Sequence, residues 1–137
     1  MASAPEINIV AYKRVPFDDT IPDFRGDYTG ATALMEVRPE PGADGTPVLS
    51  LSTALASGQG IVITYDDEYV TEHQGETFTG ASLVQILINE ATLEALDYAA
   101  SPDEPATYHY DMHITPSGGT KFVAYRGTFT INPGATR

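Results

Sequence analysis

Cysteine is absent from the 137-residue sequence. That excludes disulfides, thiolate-bound metal and a cysteine nucleophile, and leaves stability to packing or to partners. Tryptophan is absent too, so the aromatic content rests on eight tyrosines and five phenylalanines. Basic side chains are scarce: seven Lys and Arg against nineteen Asp and Glu give a formal charge of −12. Such a field repels nucleic acid, whose affinity comes from neutralising phosphates, and disfavours anionic membrane surfaces. What the charge does supply is solubility and resistance to non-specific association. Long apolar runs are missing as well. The longest, Val84 to Ile88, is interrupted by Gln85 and falls far short of a membrane span. The opening residues Met1-Ala2-Ser3-Ala4-Pro5-Glu6 lack the basic and apolar regions of a secretory signal. The chain is therefore expected to be made in the cytoplasm, with no nucleic-acid and no membrane partner.

What is present is the alternation of half-buried strands. Hydrophobic residues make up 42% of the chain, which excludes wholesale disorder and suits one domain over 1–137. A fold of this length buries roughly two-thirds of the surface its unfolded chain exposes. A first strand is expected over 6–12, and a short edge strand around Phe17 to Ile21, between Pro16 and Pro22. Ala31 to Arg38 places Ala33, Met35 and Val37 on one face, with Leu34 among the polar residues of the other. Prolines and glycines over 39–45 make a turn, followed by a strand over Val48 to Ser52 and a loop over 54–59. Gly60 to Tyr65 and Ala81 to Ile88 are strands. The polar segment 66–80 between them is expected to be a mobile loop, having few apolar anchors to offset its ordering entropy.

At Asn89 the period changes. Asn89 is placed to cap a helix, Glu90 suits the first turn, and Ile88 and Leu93 occupy the two positions of a hydrophobic staple. One short helix is expected near 90–98, ended by Pro102 and Pro105. A hairpin closes the chain: Ala106 to Thr115, the turn Pro116-Ser117-Gly118-Gly119, then Lys121 to Asn132. Its inward faces read Tyr108, Tyr110, Met112, Ile114 and Val123, Tyr125, Phe129, Ile131. Gly127 within the second arm signals a bulge or a close backbone approach. Residues 1–5 and 133–137 are expected to be flexible, and Pro5, Pro16, Pro22 and Pro133 suit extended arms. About seven strands with frequent turns and a single helix favour an antiparallel β-sandwich over a parallel α/β sheet.

Few groupings of chemical side chains stand out. His109 and His113 share a strand face with Asp111, but positions four apart on a strand lie about 13 Å from each other, too far for one zinc ion. They read as surface residues able to contact a partner, where titration would make the contact pH-sensitive. Asp66, Asp67, Glu68, Glu72 and Glu76 crowd five carboxylates into one stretch, with Tyr69 among them. Their spacing does not match a helix-flanked calcium loop, so a solvated acidic segment that meets a partner is the plainer reading. No Gly-x-Ser-x-Gly elbow and no glycine-rich phosphate loop occurs. Dispersed carboxylates of the glycosidase kind are compatible with the sequence, but nothing singles out a pair. No enzyme activity, cofactor or metal is expected.

Asp27-Tyr28-Thr29-Gly30-Ala31-Thr32 runs into a strand ending at Val37-Arg38. Near the end, Tyr108 to Ile114, a glycine turn and Tyr125-Arg126-Gly127-Thr128-Phe129-Thr130-Ile131 precede a Pro-Gly tail. This pattern resembles a family of small phage tail-module proteins related to the N-terminal domain of upper baseplate proteins. The resemblance covers most of the chain. It implies an immunoglobulin-like sandwich of the virion, without an active site, whose partners are other virion proteins and copies of itself. The 66–80 insertion is longer than that pattern, and no fibre or receptor-binding domain is expected after residue 132. A head decoration or neck protein, or a carbohydrate-binding module whose tyrosines stack on sugars, is the alternative.

Overall fold

The computed structural model describes residues 4–42, 45–96 and 104–133. The protein is mainly β, with eight strands and one short helix among those residues. In chain order the elements are β1 (Ile9–Tyr12), β2 (Phe17–Asp23), β3 (Thr32–Arg38), β4 (Leu49–Ser52), β5 (Gly60–His73), β6 (Glu76–Ile88), α1 (Glu90–Ala95), β7 (Ala106–Thr115) and β8 (Phe122–Asn132). They form a five-stranded sheet in the order β1-β8-β7-β3-β4 and a three-stranded sheet in the order β2-β6-β5.

The expected all-antiparallel arrangement needs one correction: β1 pairs with β8 in parallel, Ile9 opposite Phe129, so the larger sheet is mixed. Every other pairing between strands among the described residues is antiparallel, and the isolated Glu6–Arg126 bridge ahead of β1 is parallel like β1 itself. Alternation reports which face of a strand is buried and is blind to the direction of its neighbour. The N-terminal segment runs along the same edge before β1 begins. Ile7 N–H donates to the Arg126 carbonyl at 2.8 Å, and Arg126 N–H donates to that of Pro5 at 3.1 Å.

The two sheets share one apolar core. Met35, Val37, Met112, Ile114, Phe129 and Ile131 enter it from the five-stranded sheet, and Ile61, Val84, Ile86 and Ile88 from the other. Phe17 of β2 meets Phe129 of β8 edge to face, at 6.4 Å between centroids. On β3 the expected face is the buried one, and Leu34 lies exposed on the other. On β8 the expected inward Val123 points out instead. The pairing skips from Met112–Tyr125 to His113–Val123, leaving Ala124 as a bulge residue, so Ala124 and Tyr125 are both buried. Gly127, where a bulge or a close backbone approach was expected, is the close approach: a Cβ there would lie 2.5 Å from the Ile7 carbonyl oxygen.

α1 begins as its sequence dictates. Asn89 Oδ1 accepts from Thr92 N–H at 2.8 Å, while Ile88 and Leu93 are fully buried. Its C-terminal end is held from elsewhere in the chain. Lys13, itself buried, donates through Nζ to the carbonyls of Glu94 and Leu96. The last residues of the expected helix, 97 and 98, lie outside the described residues, as do 1–3 and 134–137 of the expected flexible ends.

The polar segment 66–80 is not a loop. β5 and β6 continue through it as a long hairpin closed by Gln74–Gly75, with His73 opposite Glu76. Both turn residues have positive φ, 53° and 83°, as a type I′ turn requires. Tyr69, Val70, Thr71, Thr77, Phe78 and Thr79 are strand formers, and the interspersed acids hid their pattern. Pro22 sits inside edge strand β2 opposite Leu83, and the Pro5 and Pro133 carbonyls accept hydrogen bonds from Arg126 and Arg14.

Candidate interaction surfaces

The eight residues singled out as partner contacts fall on two separate surfaces. Asp66, Asp67, Glu68, Tyr69, Glu72 and Glu76 belong to the β5–β6 hairpin of the three-stranded sheet. His109 and His113 lie on the outer face of β7 in the five-stranded sheet. The structure does not bring the histidines and the acidic run together.

On the hairpin, β2 covers the edge of β6 only from Ile88 back to Ser82, where Asp23 pairs. Beyond that point β5 and β6 run on as a two-stranded ribbon. Asp66 opposes Ala81 and Val70 opposes Thr79, so Asp67, Glu68 and Tyr69 face a single residue, Gly80. The acidic triplet is therefore a bulge. Asp66 Oδ1 stabilises it by accepting from Glu68 N–H at 3.0 Å. The ribbon is anchored by Phe24, which follows β2 and packs on Tyr69 at 5.6 Å and Phe78 at 6.0 Å. Even so, Val70 is 58% exposed and Phe78 37%.

A groove of about 420 Å³ opens beside this anchor, walled mainly by Ile21, Pro22, Phe24, Thr71 and Phe78. At its base is a charge network that sequence reasoning missed. Asp23, buried, accepts from the Arg25 guanidinium at 2.6 Å, from Arg25 N–H at 2.9 Å and from the Tyr125 hydroxyl at 2.7 Å. Burial alone would push the Asp23 carboxyl up, but these hydrogen bonds outweigh it and hold the group below its ordinary value. Burial, then the bond to Asp23, pushes the Tyr125 hydroxyl well above its ordinary value. Arg25 also donates to the Ala124 carbonyl and lies over the Phe122 and Tyr125 rings. Ser82 secures the following loop, donating to the Gly26 carbonyl and accepting from Tyr28 N–H. The only sequence trace of this network is a serine interrupting the apolar run of β6 and the Asp-x-Arg spacing after Pro22.

The second surface is a shallow concavity of about 660 Å³ over the outer face of β3, β7 and β8. Across it, His109 lies between Arg38 and Thr128, Asp111 between Glu36 and Arg126, and His113 between Leu34 and Val123. His113 Nε2 stands 3.7 Å from Asp111 Oδ1, and Arg38 pairs with Glu36 at 3.2 Å. Both signs of charge mix here, with Glu36 and Asp111 side by side between Arg38 and Arg126, and Leu34 and Val123 are exposed at one end. Among the described residues no group of three or more His, Asp or Glu is placed to hold a metal ion, and no helix is long and apolar enough to cross a membrane. No family model matches the chain, and no curated protein matches it.

Proposed function

We propose that this chain is a non-enzymatic building block of a phage particle, a tail tip or baseplate component used in several copies and folded as an immunoglobulin-like sandwich. The observation that carries the assembly reading is the β5–β6 ribbon. It projects past β2 with open backbone edges, and a lone two-stranded ribbon is at best marginally stable in water. Such an element gains most of its order when a neighbour covers it. The net charge of −12 keeps free copies apart and calls for basic surfaces on the partners.

Strand order supports the sandwich. In immunoglobulin lettering the two sheets read A′-G-F-C-C′ and B-E-D, with α1 at the corner between E and F. The buried tryptophan and inter-sheet disulfide of antibody domains are absent, and Met35 and Met112 fill the centre instead. A carbohydrate-binding module is disfavoured because Tyr28, Tyr108, Tyr110 and Tyr125 are core residues. Of the other described tyrosines, Tyr12 and Tyr65 are exposed on different sheets, and Tyr69 is half-buried against Phe24.

The test is to find the chain in purified particles by mass spectrometry and to count its copies in a reconstruction. A tail location is expected, and a head or neck location would shift the assignment within the virion. Absence from particles, with a monomer at high concentration and no affinity for tail or head proteins, refutes the proposal.

A further inference from the structure

We propose that the open edge of β6 over 76–81 receives an extended, basic segment of a partner protein as an added strand, with an apolar side chain of that segment seated in the groove beside Phe78. The inference rests on the reading of the ribbon as an assembly element and names what the ribbon takes.

Three observations converge on this edge. β2 follows β6 from Ile88 to Ser82 and then leaves the sheet after Asp23, while β6 continues for six more residues. Over 76–81 its one strand partner among the described residues is β5, so the track that β2 vacates is open for backbone pairing. The groove flanks the last residues of β2, Ile21 to Asp23, and extends past Phe24 to Phe78, so a strand continuing that track passes along it. The outer edge of β5 is a poorer template, because the Asp66–Val70 bulge breaks its register.

Charge identifies the occupant. Residues 66–80 carry five carboxylates and no Lys or Arg; Glu76 is exposed on the open strand itself, Glu72 of the adjacent β5 lines the groove, and Arg25, which also lines it, is paired with Asp23. A second copy, with its net charge of −12, is a poor candidate, whereas Lys or Arg alternating with apolar residues satisfies both the acids and the groove. Addition of such a strand turns the two-stranded ribbon into three and removes its exposed edge.

The experiment uses the full chain and three synthetic peptides of equal length, in which Val alternates with Lys, with Ser or with Glu. The Lys peptide is expected to bind, to weaken as salt rises, and to slow amide exchange over 76–81 while leaving the edges at β1 and β4 unchanged. Phe78→Asp is expected to weaken binding about tenfold or more. Because that change could loosen the ribbon, Glu72→Lys with Glu76→Lys serves as a second variant. Both sites are exposed, and the pair of changes should transfer preference to the Glu peptide. Unchanged exchange over 76–81, protection at another edge, or equal binding of all three peptides overturns the inference. Incorporation into particles without peptide binding overturns this inference alone. Peptide binding by a chain absent from particles overturns the virion assignment alone.

Discussion

Replacing Asp23 with Ala removes the acceptor at the centre of the network under the groove. Two consequences come together. The Arg25 guanidinium loses its ion pair, and the buried Tyr125 hydroxyl loses its partner. Breaking a buried pair costs about 3–5 kcal/mol, but the Arg25 side chain is 43% exposed and can turn to water, so the lower end applies. Stranding the Tyr125 hydroxyl is already within that figure, as its own cost is about 1–3 kcal/mol. The expected loss is therefore about 3 kcal/mol, or a fall in Tm of roughly 10 °C for a domain of this size. Asp23→Asn keeps an acceptor but no charge and should lose less than half of that. The pH dependence follows from the direction of the shift. The folded carboxyl titrates below its unfolded value, so its stabilisation is complete above about pH 4 and is lost as pH falls through the folded pKa. Urea unfolding of the native protein and both variants from pH 7 to pH 2 measures it. The gap between native protein and Asp23→Asn should narrow below about pH 4. A gap that is constant across this range, or an Asp23→Ala loss under about 1 kcal/mol, refutes the account.

Gly127→Ala places a methyl against the Ile7 carbonyl, which also accepts from Tyr110, and is expected to cost about 1–3 kcal/mol in thermal unfolding and to expose the amide of Ile7 to exchange. Lys13→Met retains the apolar stem but leaves the carbonyls at the C-terminal end of α1 without their donor, for about 1–3 kcal/mol and faster amide exchange within 90–96. At the ribbon tip, Gln74→Asn suits the left-handed turn position better and should slow exchange near the turn, while Gly75→Ala should cost about 1 kcal/mol.

The parts legible in the sequence are those where one residue's neighbours in the chain decide its fate. Asn89 caps and Ile88 with Leu93 staples α1 because all three lie within one helical turn and its flank. Ala33, Met35 and Val37, or Tyr108 to Ile114, alternate because each strand has one wet face. The missed features depend on distant partners. Nothing around Lys13 announces that its ammonium group will reach carbonyls some eighty positions later. The Ala124 bulge, which turns Val123 outward, arises from the match of β8 to β7 rather than from β8 alone. For the contact surfaces, residue type was readable and arrangement was not. The acids of 66–76 were visible as a run, but their role as a bulge in a ribbon depends on the opposing strand formers of β6.

The parallel pairing of β1 with β8 also sets the order in which the molecule can be completed. Asn8 Oδ1 accepts from Thr128 N–H across 120 positions, and among the described residues Ile9 to Tyr12 pair with β8 alone. During synthesis the hairpin of β5 and β6 can close from local contacts while β1 waits for β8 to emerge. Closing a loop of that length contributes no contact energy until the ends meet, so folding of the larger sheet should be slow, on a scale of milliseconds to seconds. Until then the side of β8 that takes β1 stays uncovered, and newly made chains are at their most adhesive in that interval.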